Sequence, residues 1–247
     1  MNDESEGIVL KQTDYRDADA IVDVLTAKYG RITLMVRGLR KITSKNAMAC
    51  LLFNKSKFQL NYNEARSMQS LKCAESINNY RLIRESLEKQ SIAMMMCEAI
   101  DKIKIDDADS AYDLLDKSLT YLEKTDNIYA ILGLYMAKLN DMCGITPEVD
   151  ACINCGRQDH IVSISLTDGG FICSDCFDIN RHHKAGLQRL KYFRLFAKAG
   201  IDDFKVLEKI DCSINDCIDV IDFFCEYSGI NLKSYNFLKE IAQMEQE

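Results

Sequence analysis

With 247 residues and 47% hydrophobic composition, the chain is long enough for one or two packed domains and too apolar for intrinsic disorder. Its net charge of −7 excludes a uniformly basic molecule, and its single proline, Pro147, suits long helices. No stretch approaches the ~18 uncharged apolar residues of a membrane-spanning helix. The acidic opening MNDESEGIVL lacks a cleavable apolar core, so no secretory signal is expected. The eleven cysteines are then expected in a reducing, cytoplasmic compartment, where disulfides are rare.

Taken in chain order, the first part reads as short strands. GIVLKQTDY (7–15) is β-favouring, and ADAIVDVLTAK (18–28) follows it. Tyr29-Gly30 marks a turn before RITLMVR (31–37), whose alternation sets Ile32, Leu34 and Val36 opposite Arg31, Thr33, Met35 and Arg37. GLRKITSK (38–45) is a basic loop, and two more runs follow at 57–63 and 67–76. Five short strands in about 75 residues predict a small closed barrel of the OB type. A three-stranded sheet with a helix at 18–28 is the competing reading, because that segment also tolerates helical periodicity.

From about residue 78 the period changes to 3.6. One long amphipathic helix is expected over 81–103, with Leu82, Leu87, Ile92, Met95, Met96 and Ile100 on its apolar positions. Met94-Met95-Met96 reads as helix core, or as a partner groove. Further helices are expected at about 108–124, 127–143 (with Gly144 beyond its end), 186–200, 213–227 (capped by Asp211 or Ser213) and 232–245. The expected organisation is α+β: a barrel at 1–78, then an all-helical domain at 79–247 with an insert at 150–178.

That insert carries C-x2-C-x17-C-x2-C, formed by Cys152, Cys155, Cys173 and Cys176. Each close pair can present two thiolates from a tight turn. Four thiolates close a tetrahedral zinc site and leave no open position for water or substrate, so one structural Zn2+ is expected. Two redox CxxC pairs would need a thioredoxin-like βαβ setting, which is missing. A zinc deaminase would need an open position, a His/Cys-x-Glu element and a proline before the second pair; Ala151 and Ile172 precede the pairs here. His160, His182 and His183 read as surface residues or as hydrogen-bonding supports behind the ligands, with replacement of a cysteine ligand as the alternative. Cys50, Cys73, Cys97, Cys143, Cys212, Cys217 and Cys225 read as buried free thiols. No phosphate loop, HExxH or nucleophile elbow is present in the sequence, and no catalytic residue is nominated.

Charge is unevenly spread. Between Asp23 and Glu64 no carboxylate occurs, yet the window holds Lys28, Arg31, Arg37, Arg40, Lys41, Lys45, Lys55 and Lys57. At 38 Asp and Glu in 247 residues, about six acids would fall in such a window by chance. A polyanion senses charge within a Debye length of ~8–10 Å, so a local positive block can act inside an anionic protein. A solvated lysine-rich surface without a partner is the plainer reading.

The run GIVLKQTDYRDADAIVDVLTAKYGRITLMVRGLRKITSK closely resembles the opening of the RecO family of bacterial DNA recombination and repair proteins. Its LTxxxGR turn appears as Leu25-Thr26-Ala27-Lys28-Tyr29-Gly30-Arg31, and its basic loop as Arg37, Gly38, Arg40, Lys41 and Ser44. Near the C-terminus, Ser228-Gly229, Leu232-Lys233-Ser234 and Phe237-Leu238 match the family's segment, and many members carry the four-cysteine motif at this place. A proline that the family often has before the Phe, at Leu52-Phe53, is absent.

The resemblance implies an OB-fold domain and a helical domain with the zinc motif. It also implies binding of single- and double-stranded DNA, annealing of complementary strands, and loading of RecA, together with RecR, onto strands coated by single-strand-binding protein. Arg37, Arg40, Lys41 and Lys45 are then expected to contact phosphates along a groove, with Arg31 and Lys57 beside them. Tyr29, Phe53, Phe58 and Tyr62 are the rings available for base stacking, and core packing is expected for at least two of them. The acidic helical part is expected to serve protein contacts. The alternative is a zinc-ribbon nucleic-acid-binding factor of another kind; a metalloenzyme and a scaffold without nucleic-acid affinity are further rivals.

Overall fold

The computed structural model describes residues 3–207 and 209–244. Five strands, β1 (Asp3–Tyr15), β2 (Asp19–Thr26), β3 (Gly30–Val36), β4 (Lys55–Asn61) and β5 (Gln69–Asn78), close into a barrel in the order β1-β2-β3-β5-β4. This is the expected five-stranded OB-type barrel. The 18–28 segment is the strand of the two readings. Its β-branched Ile21, Val22, Val24 and Thr26 pair on both sides, with Thr13, Gln12, Val9 and Gly7 of β1 and with Met35, Leu34, Ile32 and Gly30 of β3.

Closure depends on β1 serving two neighbours. Its first half pairs with β4 and its second with β2, and the register slips between Val9 and Lys11. Gly7 sits at the handover, opposite both Thr26 and Ser56. A Cβ there would meet the Val24 side chain at 2.6 Å, so the crossing needs glycine. Val9, Val22, Val24, Ile32, Leu34, Val36, Phe58 and Leu60 fill the interior, and Leu39 and Cys50 from the β3–β4 connection join them.

Helices continue the chain. Instead of one helix over 81–103, a single turn α1 (Arg81–Arg84) breaks before α2 (Leu87–Lys102). The break has a physical cause: Ser86 is extended and its hydroxyl accepts the Lys89 amide, which starts a new helix. α2 packs on β1, and α3 (Ala108–Lys124) packs on β2 and β3. The compact unit that holds the barrel therefore runs past the expected boundary at 78. It comprises residues up to Lys124 together with Lys233–Ile241 of α8 (Lys233–Met244). Glu98 of α2 receives the α8 start, accepting the Lys233 and Ser234 amides at 3.0 and 2.9 Å and the Ser234 hydroxyl at 2.5 Å.

The second compact unit spans Thr125–Leu232. It contains α4 (Ile128–Met142), α5 (Leu187–Lys198), the short α6 (Phe204–Leu207) and α7 (Ile214–Ser228), and the insert forms a three-stranded sheet. α4 is apolar nearly all round and is buried accordingly. Gly144, with φ +71°, lies just past its end as expected. Of the two candidate caps for α7, Ser213 fills the role in a capping box with Asp216. Cys212 and Cys217 flank that cap with sulfurs 3.6 Å apart, the positions at which a hydrophobic staple packs.

Candidate nucleic-acid interface and metal centre

The basic window lacks carboxylates in sequence but not in space. Lys57 pairs with Glu4 of β1 at 2.7 Å, because β1 runs antiparallel to β4 there. Arg40 pairs with Asp14 at 3.2 Å and donates to the Arg16 carbonyl at 3.3 Å. Arg31 pairs with Asp101 of α2 at 3.6 Å, and Lys55 pairs with Asp116 of α3 at 2.7 Å. Lys28 lies 3.9 Å from Asp3 and 4.8 Å above the Tyr29 ring. Burial pushes the Asp101 carboxyl up, and Arg31 opposes that shift.

Arg37, Lys41 and Lys45 are different. All three are exposed and, among the described residues, make no ion pair. They sit on the connection from β3 to β4, whose base is held at both ends. The Gly38 amide donates to Asp19 Oδ1 at 2.8 Å, the Arg40 amide donates to the Ala18 carbonyl at 3.0 Å, and Leu39 is buried in the barrel. Further on, Asn46 Oδ1 accepts the Ala74 amide of β5 at 3.0 Å. Between these anchors successive turns join Lys41 to Gly38 and Ser44 to Lys41, so the cations stand on a fixed arch.

The six expected contact residues are therefore not one groove. Arg37, Arg40, Lys41 and Lys45 share the arch, with Arg40 already paired. Arg31 sits at the far end of β3, six residues and about 20 Å along the strand from Arg37. Lys57 points out of β4 against Glu4. Strand alternation reveals which face a residue occupies but not which distant acid faces it. Among the rings, Phe53 and Phe58 are buried, so packing occupies them. Tyr29 and Tyr62 stack on each other, with centroids 3.9 Å apart and planes 17° apart, half-buried beside the core.

In the second unit, β6 (Glu148–Cys152), β7 (Ile161–Ser165) and β8 (Gly170–Cys173) form a sheet in the order β6-β8-β7. Cys152 and Cys173 end two neighbouring strands, and Cys155 and Cys176 lie in the turns just beyond. The first turn needs Gly156 at φ +75°, its amide donating to the Cys152 carbonyl at 2.8 Å. The Cys176 amide donates to the Cys173 carbonyl at 3.2 Å. The four Sγ atoms lie within 4.8 Å of one another, with Cys155 and Cys173 at 3.6 Å. Tetrahedral bonding at ~2.3 Å per thiolate would set the sulfurs about 3.8 Å apart, so these four thiols can hold one metal ion. Burial raises the Cys152 thiol, but the amides of Cys173, Asn154 and Cys155 outweigh it and bring the thiol down to about 6. One thiolate is thereby favoured, while hydrogen bonding with Cys155 pushes the Cys176 thiol up to about 12, so a metal ion must displace protons as it binds.

None of the three histidines joins this cluster. His160 and His183 are exposed, but His182 is buried, so the surface reading fails for it. Its Nδ1 accepts the Asp178 amide at 3.0 Å and its Nε2 faces Asp168 Oδ2 at 2.8 Å. Asp168, in the β7–β8 turn, also takes the Ser165 hydroxyl and Arg181, which pull its carboxyl below the usual range together with His182. This knot ties the turn to the segment after Cys176. Sequence reading missed it, although an Asp-Gly-Gly turn and a His shortly after the last cysteine were both visible. Of the seven other cysteines, Cys73 is exposed, contrary to expectation, because it lies on the outer face of β5.

Barrel and thiolate cluster together define a two-part protein: an oligonucleotide-binding-type barrel joined to a helical body with a four-cysteine centre. Residues 1–80 match the model of the recombination protein O N-terminal domain, and residues 84–235 match that of its C-terminal domain. The DNA repair protein RecO of Bacillus pumilus is 30% identical over 246 residues, covering 97% of this chain and 94% of the relative. That of Bacillus subtilis is 29% identical over 247 residues, with coverage of 97% and 94%, and that of Listeria monocytogenes serotype 4a is 27% identical, with 97% and 95%. The chain belongs to the RecO family. No helix among the described residues is long and apolar enough to cross a membrane.

Proposed function

We propose that this chain is a DNA repair protein of the recombinational, RecF-type pathway. It binds single- and double-stranded DNA through phosphates, without sequence preference, and anneals complementary strands. With RecR it helps load RecA onto strands coated by single-strand-binding protein. Membership of a family whose curated relatives are named DNA repair proteins supports the repair role. The observation that carries DNA binding is the arch bearing Arg37, Lys41 and Lys45, three exposed cations without ion-pair partners among the described residues, on an OB-type barrel.

Phosphate contacts position a strand but read no sequence, which suits repair of arbitrary DNA. Annealing brings two polyanions together, so neutralising phosphate lowers the barrier and no bond need be made or broken. We accordingly assign a binding role and no catalytic one. The Cys152, Cys155, Cys173 and Cys176 cluster is assigned one structural Zn2+, which would hold the β6–β8 insert folded. The working compartment is the cytoplasm, at the nucleoid.

The test is annealing of two labelled complementary oligonucleotides coated with single-strand-binding protein, followed by energy transfer, with binding to unrelated sequences measured in parallel. The expected result is faster annealing with equal affinity for every sequence. Strong preference for one sequence, or no acceleration with native protein, would overturn the reading and favour another zinc-ribbon nucleic-acid factor.

A further inference from the structure

Between the cations of the arch stands Ile42, the most exposed large apolar side chain among the described residues. Scattered apolar side chains are ordinary on protein surfaces and need no explanation. Three features set this one apart. It follows Lys41 directly and precedes Lys45 by three residues, so unpartnered cations flank it. The backbone beneath it is held by the turns at 38–41 and 41–44 and by buried Leu39, so it is presented by a fixed support. Its neighbours Thr43 and Ser44 are small and polar, leaving it the only bulky apolar group between the two lysines.

We propose that Ile42 is an apolar wedge that enters between bases of a DNA strand whose phosphates are held by Arg37, Lys41 and Lys45. This deepens the DNA-binding reading above and rests on it. A strand gripped by its backbone near Lys41 and Lys45 brings its bases within reach of the side chain between them. Apolar side chains inserted at base steps unstack them, and the larger protein surface that the deformed strand then touches offsets the cost. An isoleucine has no hydrogen-bonding group, so the wedge would act at any step. It would keep neighbouring bases apart and their pairing edges open to a complementary strand. Beta-branching leaves few rotamers to lose on insertion.

The test compares native protein with Ile42→Gln and Lys41→Gln/Lys45→Gln on a single-stranded oligonucleotide carrying 2-aminopurine, whose emission rises when it unstacks. Circular dichroism and melting verify that each variant folds. Burying an isoleucine side chain contributes enough to change affinity about tenfold. Ile42→Gln is therefore expected to bind about tenfold more weakly, to lose the rise in emission, and to keep the native salt dependence. Native affinity and emission in Ile42→Gln, with weakened binding in the lysine variant, would overturn the wedge and leave phosphate binding intact. Native behaviour in both variants would overturn the arch itself as the DNA contact. Unchanged DNA binding with lost binding of RecR by Ile42→Gln would make the side chain a protein contact and likewise overturn the wedge.

Discussion

The division of the basic window into paired and unpaired cations makes a quantitative prediction about salt. Each phosphate neutralised on a single strand contributes roughly −0.7 to the slope of log affinity against log salt. If only Arg37, Lys41 and Lys45 grip the strand, the arch contributes about −2; if Arg31, Arg40 and Lys57 join them, about −4. Between 50 and 200 mM salt this separates a loss of roughly 20-fold from one of roughly 300-fold. Replacing Arg37, Lys41 and Lys45 together by Gln should flatten the slope by about 2. Replacing Arg31, Arg40 and Lys57 by Gln should leave it nearly unchanged, because Asp101, Asp14 and Glu4 already serve as their counterions. Surface pairs of this kind contribute only ~0–1 kcal/mol each, so the second triple variant should still fold. The assay is fluorescence anisotropy of a labelled oligothymidylate across a salt series, with melting curves as the control. A second triple variant that loses about 2 from the slope, beside a first that loses none, would show that the paired cations and not the arch grip the strand.

Cys173→Ser should lose the bound metal and lower the stability of the insert while the barrel keeps its DNA affinity; metal content by mass spectrometry and cobalt absorption verify the ligand set. Burial raises Glu98, but Lys102, the Ser234 hydroxyl and the Ser234 and Lys233 amides outweigh it and hold the carboxyl at about 2, against an ordinary 4.5. A lowered folded-state value stabilises above the unfolded value and is lost as pH falls from 4.5 towards 2, so Glu98→Gln, at a carboxylate partly screened by solvent, should cost about 1–2 kcal/mol at pH 7 and visibly less at pH 3.5 in denaturant unfolding. An equal gap at both pH values would remove this account of how α8 is held. Gly133→Ala would place a Cβ 2.5 Å from the buried Phe196 ring; overpacking of ~1–3 kcal/mol should lower the melting temperature by roughly 3–8 °C.

What the sequence made legible were features decided by near neighbours. Alternation in Ile32, Leu34 and Val36 identified β3, Ser213 and Gly144 marked helix ends, and the thiol spacing identified a cluster that the fold draws within 4.8 Å. The misreadings have two causes: partners outside the local segment, and a local signal masked by the apolar period. β1 begins at Asp3, in a polar acidic stretch that its own composition does not favour as strand, because β4 supplies a ladder and Lys57 supplies a charge for Glu4. Ser86 was readable as a cap, but the apolar period across it hid the break between α1 and α2. For His182 the sequence left surface residue and hydrogen-bonding support both open, because Asp168 and the Asp178 amide meet it only in the fold.

The same distant pairing explains how a basic block can serve two purposes in one unit. Cations at Arg31 and Lys55 face carboxylates of α2 and α3, so they help to seat those helices on the barrel. A side chain so engaged has already exchanged its hydration for a fixed counterion. It would have to give that up before it could take a phosphate, and the exchange releases few ions. Arg37, Lys41 and Lys45 carry no such partner among the described residues, and Leu39 and Asn46 anchor the backbone that bears them. The backbone that carries them is ordered before a strand arrives, so only their side chains remain to be ordered on binding. Position on the fold, rather than the count of basic residues in the window, therefore decides which of them are left free to meet a polyanion.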